Sequence, residues 1–175
     1  SVNEQLVHGI PSPKVILRQG DILSVDFGVK LDGYCGDAAV TFGIGSIAPH
    51  KQKLIDTTRR MLDIAIEQSA PGVKWSAVAA QMEECARQAG FSVVRDFVGH
   101  GIGTEMHEDP KVPNFVSKDL LRHDILLQEG MILAIEPMVN AGKYAVRTLA
   151  DGWTVVTSDG SCSAHYEHTI AITKN

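Results

Sequence analysis

Five acidic and imidazole side chains, Asp26, Asp37, His100, Glu136 and Glu167, hold most of the chemistry this chain could perform. Asp26 sits in Leu23-Ser24-Val25-Asp26-Phe27 and Glu136 in Ile132-Leu133-Ala134-Ile135-Glu136-Pro137, surroundings apolar enough to predict burial. A buried carboxylate standing alone is strongly unfavourable, so each needs a hydrogen-bonded partner, a proton or a metal. Taken singly, each acid reads as a structural group capped by backbone N–H or Arg. Four in related positions, with histidines near them, favour a metal. Carboxylate-rich sites with one imidazole suit Mn, Fe, Co or Zn in a paired arrangement. Two ions roughly 3.5–4 Å apart can hold a bridging hydroxide and polarise a carbonyl, which is hydrolytic chemistry. Asp37 and Glu167 are expected to bridge, each on the second strand of its hairpin, and His100 to be the nitrogen ligand. The glycines in Gly99-His100-Gly101-Ile102-Gly103 would let the backbone approach a ligand closely.

Other motifs are weaker. Gly-x-Gly-x-Gly is poor evidence for a nucleotide, and no P-loop lysine follows it. His107-Glu108-Asp109-Pro110 has a zincin-like start, but position 111 is Lys where a second His is required. His8, in His8-Gly9-Ile10-Pro11, reads as a substrate-facing donor or a loop residue. His168 follows Glu167 and by strand alternation points away from it. His50, His123 and His165 carry no comparable context and read as surface or structural residues. A Cys–His nucleophile built on Cys35 or Cys162 lacks any local signature and leaves the four carboxylates unexplained.

The elements that must position these groups follow from the local pattern. Asp21–Val29 and Tyr34–Phe42 are β-rich runs separated by a segment ending in Asp32-Gly33, a strong hairpin signal. Leu54, Thr58, Met61, Leu62 and Ala65 recur at helical spacing between Pro49 and Pro71-Gly72. A second helix is predicted from Ser76, read as its N-cap, to Gly90, read as its C′ residue. Later strands are predicted at Met131–Val139, Trp153–Val156 and Tyr166–Ile172. This order indicates an α+β fold. A short repeat runs through it: Leu17–Asp26 aligns with Leu127–Glu136, with four of ten positions identical. Each copy is preceded by His-Gly-Ile and followed by a second strand bearing a carboxylate. A pseudo-two-fold domain would gather four hairpin carboxylates on its axis. Two helices precede the second copy and none the first, so a matching pair is expected to be missing upstream.

The 175 residues suit one domain spanning 1–175. A net charge of -5 without clustered Lys or Arg argues against a nucleic-acid surface. No apolar run approaches the roughly 18 residues of a membrane span, and no signal peptide opens the chain. Three cysteines without CxxC spacing read as reduced thiols, which gives a cytoplasmic expectation.

Taken in order, Val7-His8-Gly9-Ile10-Pro11, Asp26 with Asp37, Gly99–Gly103, Met106-His107-Glu108-Asp109-Pro110, Glu136-Pro137-Met138-Val139-Asn140, Asp151-Gly152-Trp153-Thr154 and Tyr166-Glu167-His168-Thr169 resemble methionine aminopeptidases of the short bacterial (type I) form. The resemblance covers the whole chain and implies the pseudo-symmetric pita-bread fold, with the first half incomplete and an N-terminal segment lacking. It implies two divalent ions (Co, Mn, Fe or Zn), with Asp26 a terminal ligand of one metal, Asp37 and Glu167 bridging, and His100 and Glu136 on the second. It casts Glu136 also as proton carrier, His107 as the non-ligand histidine at the scissile amide and His8 as its partner near the substrate. Trp153 would flank the methionine pocket, and Met106 stands where the family often has an aromatic residue. The implied reaction is removal of the N-terminal methionine of nascent polypeptides, which makes ribosome association a further expectation. The competing readings are an Xaa-Pro aminopeptidase or prolidase, and a binding protein that kept the fold and lost the metals.

Overall fold

The computed structural model describes residues 1–174. Its elements run in chain order β1 (Gln5–Val7), β2 (Ile22–Leu31), β3 (Tyr34–Gly43), α1 (Pro49–Gln68), α2 (Trp75–Ala89), β4 (Ser92–Val93), β5 (Gly99–Gly101), β6 (Glu108–Val112), α3 (Lys118–Arg122), β7 (Ile132–Ile135), β8 (Met138–Asn140), β9 (Val146–Thr148), β10 (Val155–Thr157), β11 (Ser163–His165) and β12 (Glu167–Ala171). The main sheet has six strands in the order β2-β3-β12-β7-β5-β6, and two three-stranded sheets, β1-β10-β9 and β11-β8-β4, flank it. Every pairing between these strands is antiparallel.

The hairpin forms where Asp32 and Gly33 take positive φ values of 49° and 88°, which two-residue turns matched to strand twist require. Helix α1 starts with Pro49 in its first turn and buries Leu54, Thr58, Met61, Leu62 and Ala65, the predicted stripe. It packs on α2 and across β11, β8 and β3. Helix α2 buries Trp75, Val78, Ala79, Met82 and Ala86 and ends at Gly90, whose φ of 82° is left-handed. Its start differs from the sequence expectation. Ser76 lies inside the first turn, and the cap comes from a distant loop, where the Asp124 carboxylate accepts from Ser76 N–H (3.0 Å) and Ser76 Oγ–H (2.6 Å).

Two strand expectations also change. Met131–Val139 is not one strand, because Glu136-Pro137 interrupts it and Pro137 has no N–H for the ladder. Trp153 and Thr154 precede β10, held in a turn whose N–H groups donate to Asp151 Oδ1 at 2.9 Å. The short strands β1, β4, β5, β9 and β11 carry too few residues to show a period of two.

The β2–β3 hairpin has one polar and one apolar face. Val25, Phe27, Val29 and Leu31 pair with Val40, Ala38, Gly36 and Tyr34 across the ladder. This apolar face lies in solvent, with Phe27 57% and Leu31 74% exposed.

Candidate metal centre

Strand register brings the five residues to one face of the six-stranded sheet. Asp26 of β2 lies opposite Ala39 of β3, and Ala39 lies opposite Glu167 of β12. Directly opposed residues share a face, and so do residues two apart on one strand, which adds Asp37. On the far side Thr169 lies opposite Ala134 of β7, and Ala134 opposite His100 of β5. Glu136, two residues after Ala134, follows the same alternation one step past the strand end. The backbone of Glu136 is pinned by buried Asn114, whose amide donates to the Glu136 carbonyl at 3.0 Å. Asp37 is fixed by Thr169, whose hydroxyl donates to the Asp37 carbonyl (2.9 Å) and accepts from its N–H (2.8 Å).

His100 Nδ1 lies 2.8 Å from the Gly101 carbonyl oxygen. A carbonyl only accepts, so Nδ1 carries a proton and the neutral ring presents its lone pair at Nε2. That nitrogen lies 3.7 Å from Glu136 Oε1. The flanking glycines make room for the neighbouring strands. A Cβ at Gly99 would overlap the Ala134 carbonyl oxygen of β7, and one at Gly101 would overlap the Asp109 backbone of β6.

Two groups of potential ligand atoms, each lying within 4.8 Å of one another, converge on Glu167: Asp37 with His100, and Glu136 with His165. Glu167 is 2% exposed, and its Oε1 has no hydrogen-bond partner. Burial first, and then the charges of Glu136, Asp37 and Asp26, push its carboxyl up to about 9. Among the described residues no Lys or Arg forms an ion pair with any of these four acids. A carboxylate cluster with an imidazole at its edge and no paired Lys or Arg fits divalent metal ions.

Burial is graded across the site. Glu167 and His100 are buried, Asp37 and Glu136 half-buried, and Asp26 exposed. The expected burial of Asp26 is therefore wrong. Its apolar neighbours Val25 and Phe27 point to the opposite, solvent-facing side of the hairpin. Asp26 stands outside both ligand groups, yet its charge reaches Glu167.

The remaining site residues surround this cluster. The His107 ring is exposed and centred 4.4 Å from that of His100, without joining either ligand group. Its loop is tied to the hairpin by Cys35 N–H donating to the Gly103 carbonyl (2.7 Å) and Lys30 Nζ to that of Thr104 (2.7 Å). The same loop lays the Met106 methyl over Gly28, where a Cβ would collide with it. His8, at φ 61°, stacks on Trp153 with centroids 5.1 Å apart and meets Phe97 edge-on at 5.9 Å. His8, Ile10, Val15, Leu23 and Asp26 line one cavity of about 460 Å³. Sequence reasoning missed Phe97 and His165. The second was findable, since His165 precedes Glu167 by two and alternation puts them on one side.

The profile of metallopeptidase family M24 matches residues 1–174. The chain is 48% identical to methionine aminopeptidase 1 of Bacillus subtilis over 174 residues, covering 99% of this chain and 68% of that protein. It superposes on the crystal structure of a methionine aminopeptidase from Thermotoga maritima with a TM-score of 0.95 at 46% identity, covering 100% of this chain and 69% of the other. A prolidase from Pyrococcus horikoshii shares the fold, with a TM-score of 0.76 at 24% identity over 100% of this chain and 44% of its own.

Proposed function

Because the chain belongs to metallopeptidase family M24, we propose that it is a divalent-metal-dependent aminopeptidase that removes the N-terminal methionine from nascent polypeptides. The observation that carries this reading is Glu167, buried, unpartnered at Oε1 and shared by two candidate ligand groups. Asp26, Asp37, His100, Glu136 and Glu167 would hold two ions, and their oxygen-rich donor set with imidazole suits Mn, Fe, Co or Zn. When bound, such ions supply Lewis acidity and a water of lowered pKa.

The chain's own residues account for the rest of the reaction. Glu136 takes the proton from the attacking water and returns it to the leaving amine as the C–N bond breaks. His107 donates a hydrogen bond to the scissile carbonyl oxygen as negative charge develops there. His8 and Trp153, stacked as one unit, flank the substrate, and His8 shares its cavity with Asp26. Met106 would shape the pocket from the opposite loop. Among the described residues no helix is long and apolar enough to cross a membrane. A nascent-polypeptide substrate goes with a reaction in the cytoplasm, and ribosome association belongs to the same reading.

The Xaa-Pro reading gains no specific observation, since its structural likeness establishes the fold alone. The test is turnover of Met-Ala-Ser against an Xaa-Pro dipeptide by protein loaded with each candidate metal. Faster cleavage of the tripeptide is expected. Preference for the proline substrate would overturn the methionine assignment, and failure to bind any divalent metal would overturn the metallopeptidase reading.

A further inference from the structure

One imidazole at the centre has no role in the reaction as described. His165 ends β11, and its side chain is 2% exposed. The Thr41 hydroxyl donates to the His165 carbonyl and accepts from its N–H, both at 2.8 Å. Ser24 Oγ lies 2.7 Å from the same hydroxyl, so β2 and β3 together lock the His165 backbone. The ring is therefore well placed, yet neither Nδ1 nor Nε2 has a hydrogen-bond partner. Buried ring nitrogens without partners are unfavourable, and such sites usually await a ligand or water.

Its surroundings name the ligand. Nε2 lies 3.6 Å from Glu136 Oε2, and a ring nitrogen falls within 4.8 Å of ligand oxygens on both Glu136 and Glu167. Donors bonded to one first-row divalent ion at about 2.0–2.2 Å lie at most about 4.4 Å apart. Closing by a few tenths of an ångström would bring the three into one coordination sphere.

We propose that His165 is an additional metal-binding residue, joining Glu136 and Glu167 so that the centre holds its ions with two imidazoles rather than one. This rests on the metal-dependent reading above and adds a residue to it. A second nitrogen donor makes the Glu136 side of the centre softer, favouring Fe, Co or Zn there over Mn.

The test is pulsed EPR of the full chain loaded with Mn(II), counting coupled imidazole nitrogens, alongside calorimetric Mn(II) binding to the unmodified protein and to His165→Gln. Couplings from two imidazoles are expected in the unmodified protein, falling to one in the variant, with Mn(II) bound at least tenfold more weakly. A single imidazole in the unmodified protein, or an unchanged spectrum in the variant, overturns the proposal while leaving the metallopeptidase reading intact. The count in the unmodified protein decides the matter even where the variant fails to fold. Absence of binding of Mn, Fe, Co and Zn alike in the unmodified chain sinks both readings together.

Discussion

Glu136 is the residue on which the proposed reaction most depends, because it faces the cluster and also sits where a strand breaks. Glu136→Gln keeps the side chain's shape and removes its ability to take a proton. We expect kcat to fall by about 10²–10⁴-fold, with the melting temperature essentially unchanged. Near-normal turnover would strip Glu136 of its proton role. His107 offers a contrasting case, since its ring neighbours His100 without joining a ligand group. His107→Ala should lower kcat by about 10²-fold and leave metal content, measured by elemental analysis, unaltered. Loss of metal in that variant would make His107 a ligand. At this scale the sequence was informative where an acid sat in a β-type run, because alternation then fixes its face. Asp26 shows what escaped it: a carboxylate between apolar neighbours reads as buried, whereas those neighbours point away from it into solvent.

At the scale of elements, the Asp32-Gly33 hairpin and both long helices were legible because each has a local cause: a turn dipeptide, a proline start, a glycine stop. What was illegible came from distance. The cap of α2 is Asp124, 48 residues from Ser76, and no local pattern announces it. The two-residue and three-residue strands exist only because neighbours supply their hydrogen bonds. β5 is the most constrained of these. Gly101→Ala would press a methyl group against the Asp109 backbone, which cannot yield as a side chain would. Overpacking of this kind costs about 1–3 kcal/mol, a fall in melting temperature of roughly 2–4 °C per kcal/mol for a chain this size. Since His100 sits between the two glycines, metal affinity should fall as well. A variant with unchanged melting temperature and metal binding would show that β5 can move without cost.

For the whole molecule, metal and proton compete for Glu167. In the metal-free protein its carboxyl is raised from 4.5 to about 9. The folded form therefore holds a proton that the unfolded form releases. That contribution is fully present below about pH 4.5 and is lost as pH rises toward about 9. Protein treated with EDTA should accordingly melt lower at pH 9 than at pH 6, and added metal should restore more stability at the higher pH. A metal-free melting temperature that rises over this range would contradict the carboxylate cluster as described. The bare apolar face of the β2–β3 hairpin is the other global feature. Contiguous exposed apolar surface of this kind binds partners or promotes association. Marked binding of a hydrophobic dye, reduced when Phe27 and Leu31 are replaced by Thr, is the expected outcome.

The seam between that hairpin and the rest of the sheet is short. β3 meets β12 through only the Ala39–Glu167 and Ala38–His168 pairs, with Thr41 and Thr169 adding side-chain links across it. Asp26 and Asp37 lie on one side of this seam, and Glu136, Glu167 and His100 on the other. An ion bound between them is thus a fastener as well as a reagent, and susceptibility of the hairpin to protease becomes a gauge of how much of the protein is charged with metal.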